Sequence, residues 1–428
     1  MFIHRRFRPL AGAAAIVMVA AACGGGDFDP GETDAEDTAA PDPNDDDDAP
    51  PPDEDGVSLQ LMGFASSPAE DQQLNAIIEA YNEESPNSAS FNPVPEYDTT
   101  LQAALAGGTP PDVFYVDSNR IPDFVEAGVL ASAEGEITDE GDFYPALREA
   151  FTYEDTFWCP PKDFSTLALQ YNVGMLEDAG VEPPTTWEEL AAAAEELTTD
   201  DTVGLVLGAE YPRWGVFMFQ AGGGVTDEDF TQMTADTPEN REAFEFLEQL
   251  YADGYAATAT DIDAGWPGEA FGLERAAMTI EGNWIVGAME NEFPDVDWDT
   301  VELPEGPEGP GTFAFTVCYG VAANAPNPEA SWDLVNFLVS PERQLEFTEN
   351  FPVMPSREQL ADDWLEANPE LEPYIQGADY ARPFQFVPGF QGVLDTLNDG
   401  IQGVASGNRT VEDVLSSTDE AGGPVLDG

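Results

Sequence analysis

Side chains able to do acid–base, nucleophilic or metal chemistry are scarce in this sequence. The only histidine of 428 residues is His4, within the first 22 residues. If those residues are removed, no His-based triad, His metal site or His general base remains. Cys159 and Cys318 then have no histidine to activate a thiolate. Gly222-Gly223-Gly224 lacks the lysine and Ser/Thr that complete a phosphate-cradling loop. Lys162, the only lysine, lies in FWCPPKDFSTLALQYN (157–172), between two prolines and Asp163. The 85 Asp and Glu residues allow many carboxylate pairs, so two-carboxylate polysaccharide cleavage stays open as one reading. No cofactor or metal is called for.

Aromatic residues beside polar ones are abundant. They occur at Tyr211-Pro212-Arg213-Trp214, Gly265-Trp266-Pro267, Gly282-Asn283-Trp284 and from Phe384 to Phe390. Apolar walls with a few convergent polar groups make a small-molecule cleft. Rings of this kind stack on the C–H faces of sugars while Asp, Glu, Asn and Arg bond the hydroxyls. Taken singly, each ring reads as core. Trp284 differs, because EGNW follows the apolar run AAMTI (276–280), and its Gly282 and Asn283 read as a turn presenting the ring.

The composition sets the environment. The formal net charge is −72, which repels itself strongly in dilute buffer. At molar salt the Debye length falls to roughly 3 Å and the repulsion is screened. Acids run through the whole chain, so the sequence reads as halophilic. Nucleic acid is excluded as a partner, since phosphate contacts need basic patches. With 42% hydrophobic residues the chain builds a core. Its length beyond the N-terminal tail exceeds what one core holds, so two lobes are expected.

Along the chain, Arg5, Arg6 and Arg8 precede an apolar run from Leu10 to Ala22 that is too short to span a membrane. Basic head, apolar run and small residues make a signal peptide (1–22). Val19-Ala20-Ala21-Ala22-Cys23 resembles a bacterial lipobox, with Ala20 in place of the usual leucine, and implies lipidation of Cys23. Residues 23–56 hold Gly24-Gly25-Gly26, Asp45 to Asp48 and Pro50-Pro51-Pro52, a disordered acidic linker rather than a calcium loop. From Val57 onward, SLQLMGF (58–64), DVFYVD (112–117) and GLVLG (204–208) read as strands. Ser67-Pro68, Thr186-Trp187, Thr237-Pro238, Asn327-Pro328 and Ser340-Pro341 read as helix starts. This alternation predicts an α/β fold with mainly parallel sheets flanked by helices.

Six pieces in order carry a family resemblance: SSPAEDQQLNAIIEAYN (66–82), AALAGGTPPDVFYVDSNRIPDFVEAGVL (103–130), PPKDFSTLALQYNVGMLEDAGVEPPTTWEEL (160–190), AAMTIEGNWIV (276–286), FTVCYGVAANAPNPEASWDLVNFLVSPE (315–342) and PVMPSREQLADD (352–363). Together they resemble the family 1 extracellular solute-binding proteins of bacterial ABC importers, the group that includes maltose-binding proteins. The resemblance implies a two-lobed periplasmic-binding-protein-like fold with a ligand cleft between lobes. It implies lobe 1 from 57–164 and 317–353, and lobe 2 from 165–316 and 354–428. It also implies a carbohydrate ligand, a permease partner, no catalysis, a monomer, and a chain held on the outer membrane face by Cys23.

The resemblance further implies ligand contacts at Ser66, Ser67, Asp117, Asn119, Arg120, Lys162, Asp163, Ser165, Tyr211, Trp214, Asn283, Trp284, Tyr319 and Arg382. Lys162 has a second reading, as a structural partner of Asp163 or another acid. Cys159 precedes one inferred crossover and Cys318 lies on the other, which makes them a candidate disulfide in an exported protein. One alternative keeps the fold and binds an anion through Arg120, Lys162, Arg213 and Arg382.

Overall fold

The computed structural model describes residues 56–64, 68–94, 96–227, 229–348, 351 and 353–427. The signal peptide, Cys23, the acidic linker, Ser66 and Ser67 lie outside the described residues. No described helix is long and apolar enough to cross a membrane.

In chain order the strands are β1 (Ser58–Phe64), β2 (Ser88–Val94), β3 (Val113–Asp117), β4 (Thr152–Tyr153), β5 (Thr156–Phe157), β6 (Pro161–Ser165), β7 (Leu167–Asn172), β8 (Val203–Val206), β9 (Ala256–Ala257), β10 (Ala276–Gly282), β11 (Trp298–Val301), β12 (Thr312–Val321), β13 (Met354–Pro355) and β14 (Ala381–Pro383). One sheet runs β13-β6-β12-β3-β1-β2, with β14 joined to the start of β12. A second runs β11-β7-β10-β8-β9, and β4-β5 form a small ribbon. β1, β2 and β3 are mutually parallel, as are β8, β9 and β10. The crossing strands depart from the expected parallel pattern. β12 is antiparallel to β3 and β6, and β7 is antiparallel to β10 and β11. A strand that arrives from the other sheet enters at the opposite end from a βα-connected strand, so it runs backward.

Each sheet has its own core. Leu59, Leu61, Leu74, Val113, Phe114, Trp332 and Val335 belong to the first. Leu169, Leu205, Trp214, Phe217, Leu247, Ile280, Leu397 and Ile401 belong to the second. The other face of the second sheet buries Ala168, Val206, Phe271, Ile285 and Trp364. Local signals set many element ends. Thr186 and Thr237 accept hydrogen bonds from the N–H groups of Glu189 and Asn240, as N-cap side chains do. The chain crosses between the sheets at Thr166, between β6 and β7, and again along β12, and after β13 its last two helices pack into the second core.

Candidate functional site

The crossing strands form the floor of a cavity of about 470 Å³. Phe64 ends β1 and Asp117 ends β3, while Ser118 and Asn119 follow β3, so the first sheet presents the carboxyl ends of its parallel strands. The second sheet does the same, with Glu210 and Pro212 after β8 and Trp284 after β10. Carboxyl ends of parallel strands are where open α/β sheets collect ligands.

One wall carries Lys162. Its ammonium is almost fully buried, 2.9 Å from Glu70 and in contact with Asp163. It also faces the rings of Phe347 (4.5 Å) and Tyr115 (5.5 Å). Burial alone would lower its pKa, but Asp163 and Glu70 outweigh that and hold it above the ordinary value. Burial raises the Glu70 pKa, against the opposing pull of Lys162.

The other wall carries Arg213, Glu281 and Trp284. Arg213 lies 2.5 Å from Glu281 and 3.3 Å from Glu210, with its guanidinium 5.4 Å from the Trp284 ring centre. Trp284 Nε1–H donates to the same Glu281 oxygen at 2.8 Å. Burial raises the Glu281 pKa, and Arg213 opposes it. Glu281 Oε1 and Arg213 Nε are buried without a partner among the described residues. The Trp284 ring is half-exposed and meets Phe315 edge-on at 5.7 Å, and Phe384 lies 6.0 Å beyond Phe315. Gly282 is required by crowding, since a Cβ there would strike the Trp284 ring and Ser165 Oγ. A hollow of about 810 Å³ adjoins, sharing Arg213 and Trp284 and lined also by Trp266 and Glu281.

Six of the residues implied by the resemblance line the main cavity: Asp117, Asn119, Lys162, Asp163, Ser165 and Trp284. Solvent reaches Asp117, yet loss of hydration pushes its pKa up to about 6, with Asp98 adding to the push and Arg120 opposing it. Water at the carboxylate softens that effect. Ser165 Oγ accepts the Asn283 backbone N–H at 3.0 Å, so Asn283 holds the turn from the buried side. Arg120 turns aside to Asp98, 3.5 Å away, and to the Phe124 ring. Tyr319 is buried edge-on against Tyr115.

Trp214 does not reach the cleft. It is fully buried against Phe244 and Tyr251, because the helix Tyr211–Gln220 is wedged into the second core. Tyr211 is equally buried, among Phe313, Phe384 and Phe386. Tyr211 and Arg382 line a separate cavity of about 400 Å³. Cys159 and Cys318 are both buried, with Cα atoms 5.7 Å apart, and the structure joins them in a bridge. Cavity residues absent from the sequence reading include Phe64, Glu70, Ser118, Phe315, Thr316, Phe351 and Val353. Glu70 had one available signal, as an acid able to partner the only lysine.

The model of a family described as bacterial extracellular solute-binding protein matches residues 76–373. The maltotriose-binding protein of Pyrococcus abyssi is 28% identical over 355 residues, covering 77% of this chain and 75% of that protein. Among solved structures, the GacH receptor of Streptomyces glaucescens, determined unliganded and with acarbose, superimposes with a TM-score of 0.78 at 24% identity, covering 87% of this chain and 99% of that one. The ABC substrate-binding protein of Listeria monocytogenes in complex with cycloalternan gives 0.79 at 23% identity, covering 87% and 100%. These likenesses establish the two-lobed fold.

Proposed function

The chain belongs to the bacterial extracellular solute-binding proteins, and from that membership we propose that it is the carbohydrate receptor of an ABC importer. It captures a mono- or oligosaccharide in the 470 Å³ cavity, is held to the outer membrane face through Cys23, and hands its ligand to the permease. The lobes are those implied by the crossings, 57–164 with 317–353 and 165–316 with 354–428, and the ligand closes them by bridging both walls. The observation that carries this reading is the pairing of Trp284 with Glu281 and Arg213 beside Phe315 and Phe384. The Trp284 ring stands next to two buried polar atoms, Glu281 Oε1 and Arg213 Nε, that have no partner among the described residues. Such atoms are usually satisfied, and sugar hydroxyls, which both donate and accept, suit them.

An anionic ligand fits the cavity less well. Both basic residues that line it, Lys162 and Arg213, are already paired with carboxylates. Asp117 adds a further acid. The reading is tested by thermal shift at molar salt with sugars, polyols and sugar phosphates. Binding stabilises by RT ln(1 + [L]/Kd), about 2.7 kcal/mol at a hundredfold excess over Kd. A shift with neutral sugars and no turnover of oligosaccharides supports it. Turnover, or a shift confined to sugar phosphates, contradicts it.

A further inference from the structure

Lys162 and Asp163 are neighbours on β6, yet their side chains touch and both line the main cavity. In a regular strand they would point to opposite faces. The pairing of β6 with β12 explains the exception. Val317 stands opposite Asp163, but Cys318 stands opposite Pro161. One step on β12 therefore spans two on β6, and Lys162 is the extra residue of a β-bulge. Bulges re-aim side chains. This one sends the Lys162 ammonium to Glu70 and keeps Asp163 at the cavity, where its side chain retains 10% exposure against 3% for Lys162.

The bulge is held from outside its own strand. Pro160 and Pro161 have no N–H to give to a ladder, and each carbonyl from 160 to 163 is bound by another element. The Tyr319 N–H donates to Pro160 O at 3.1 Å. Ser356 Oγ donates to Pro161 O at 2.7 Å, Gln344 Nε2 to Lys162 O at 3.2 Å, and Thr316 Oγ1 to Asp163 O at 2.7 Å. Gln344 Nε2 also donates to Ser356 Oγ at 2.6 Å, which leaves that hydroxyl's proton for Pro161. Gln344 and Ser356 are buried, and neither lines the cavity.

We propose that Ser356 and Gln344 are positioning residues of the ligand site. By holding the bulge they set Asp163 to accept a sugar hydroxyl on Oδ1, while Lys162 neutralises Glu70 and Asp163 Oδ2. The proposal rests on the carbohydrate reading above and adds two residues that act on the ligand without touching it. A buried polar pair that served stability alone would leave affinity unchanged when removed.

The test is calorimetry at molar salt with maltotriose, cellotriose and mannotriose on wild type, Ser356→Ala, Gln344→Met and Val335→Ala. Val335 is buried in the first core, outside the cavity lining, and controls for lost stability. With the trisaccharide that wild type binds, Ser356→Ala and Gln344→Met should each raise Kd about tenfold, the worth of one hydrogen bond to a charged acceptor. Val335→Ala should leave Kd unchanged, and Ser356→Thr, which keeps the hydroxyl, should retain wild-type affinity. If Ser356→Ala and Gln344→Met bind as Val335→Ala does, the positioning role is overturned while the carbohydrate reading stands. A second measurement needs no ligand. In denaturant, the midpoint losses of Ser356→Ala and Lys162→Met should sum to more than the loss of the double variant, because the first already frees the bulge that places the lysine. Additive losses overturn the clamp. Wild-type binding to none of the three sugars overturns the role of Asp163 together with the carbohydrate reading, and the midpoints still decide whether Ser356 sets Lys162.

Discussion

Lys162 Nζ lies 2.9 Å from Glu70 Oε1, and both side chains are almost wholly removed from water. The contact joins the first turn of the helix Pro68–Glu84 to β6, the strand from which the chain leaves the first sheet. With Asp163 it forms a buried group of two acids and one base at the edge of the 470 Å³ cavity. So the single lysine is a structural partner placed beside the cleft.

Removing it strands two buried carboxylates. Lys162→Met should destabilise the protein by about 3–5 kcal/mol in denaturant unfolding. The triple variant Glu70→Gln, Lys162→Met, Asp163→Asn should regain most of that loss. If Lys162→Met alone leaves the midpoint unchanged, the ion pair is not holding the helix Pro68–Glu84 to β6.

Asp117 gives a pH signature. Its folded pKa is raised from 3.8 to about 6, so the folded state keeps a proton that the unfolded state has already released. Stability therefore falls as pH rises between those two values. Asp117→Asn should match wild type near pH 4 and become the more stable of the two by pH 6–7. Midpoints that stay parallel across this range contradict the shift.

The Cys159–Cys318 bridge closes a long loop, with a sequence separation of 159 between the two cysteines. We expect no reactive thiol from this pair in denatured, unreduced protein. Cys159→Ser with Cys318→Ser should cost about 2–5 kcal/mol. Two titratable thiols before reduction would show the pair to be free.

The charge of −72 predicts a salt requirement. Between 0.1 M and 2 M NaCl at pH 7 the unfolding midpoint should rise by roughly 5 °C or more as repulsion is screened. A flat or falling midpoint would remove the halophilic reading.

What the sequence made legible was local. Proline after Ser or Thr marked helix starts, and apolar runs marked β1, β3, β8 and β10, because caps and periodicity involve neighbours a few residues apart. The turn Gly282-Asn283 was legible for the same reason, and it does set the Trp284 ring against the cavity. Long-range partners were not. Glu70 meets Lys162 only after the sheet forms, and nothing near Phe315 says that Trp284 will pack on it. The antiparallel course of β7 and β12 depends on which sheet each strand enters, a property of topology. Trp214 was misplaced because a tryptophan beside an arginine looks the same whether its helix is exposed or wedged between layers, and here Phe244 and Tyr251 cover it.

The most direct measurement is a calorimetric titration at molar salt of wild type and Trp284→Ala with the sugar that gives the largest thermal shift. We expect saturable one-site binding without turnover in wild type. In Trp284→Ala we expect a loss of about 2 kcal/mol, roughly thirtyfold in Kd, at an unchanged fold. An unaltered Kd in that variant would mean that the Trp284 wall is not where the sugar binds.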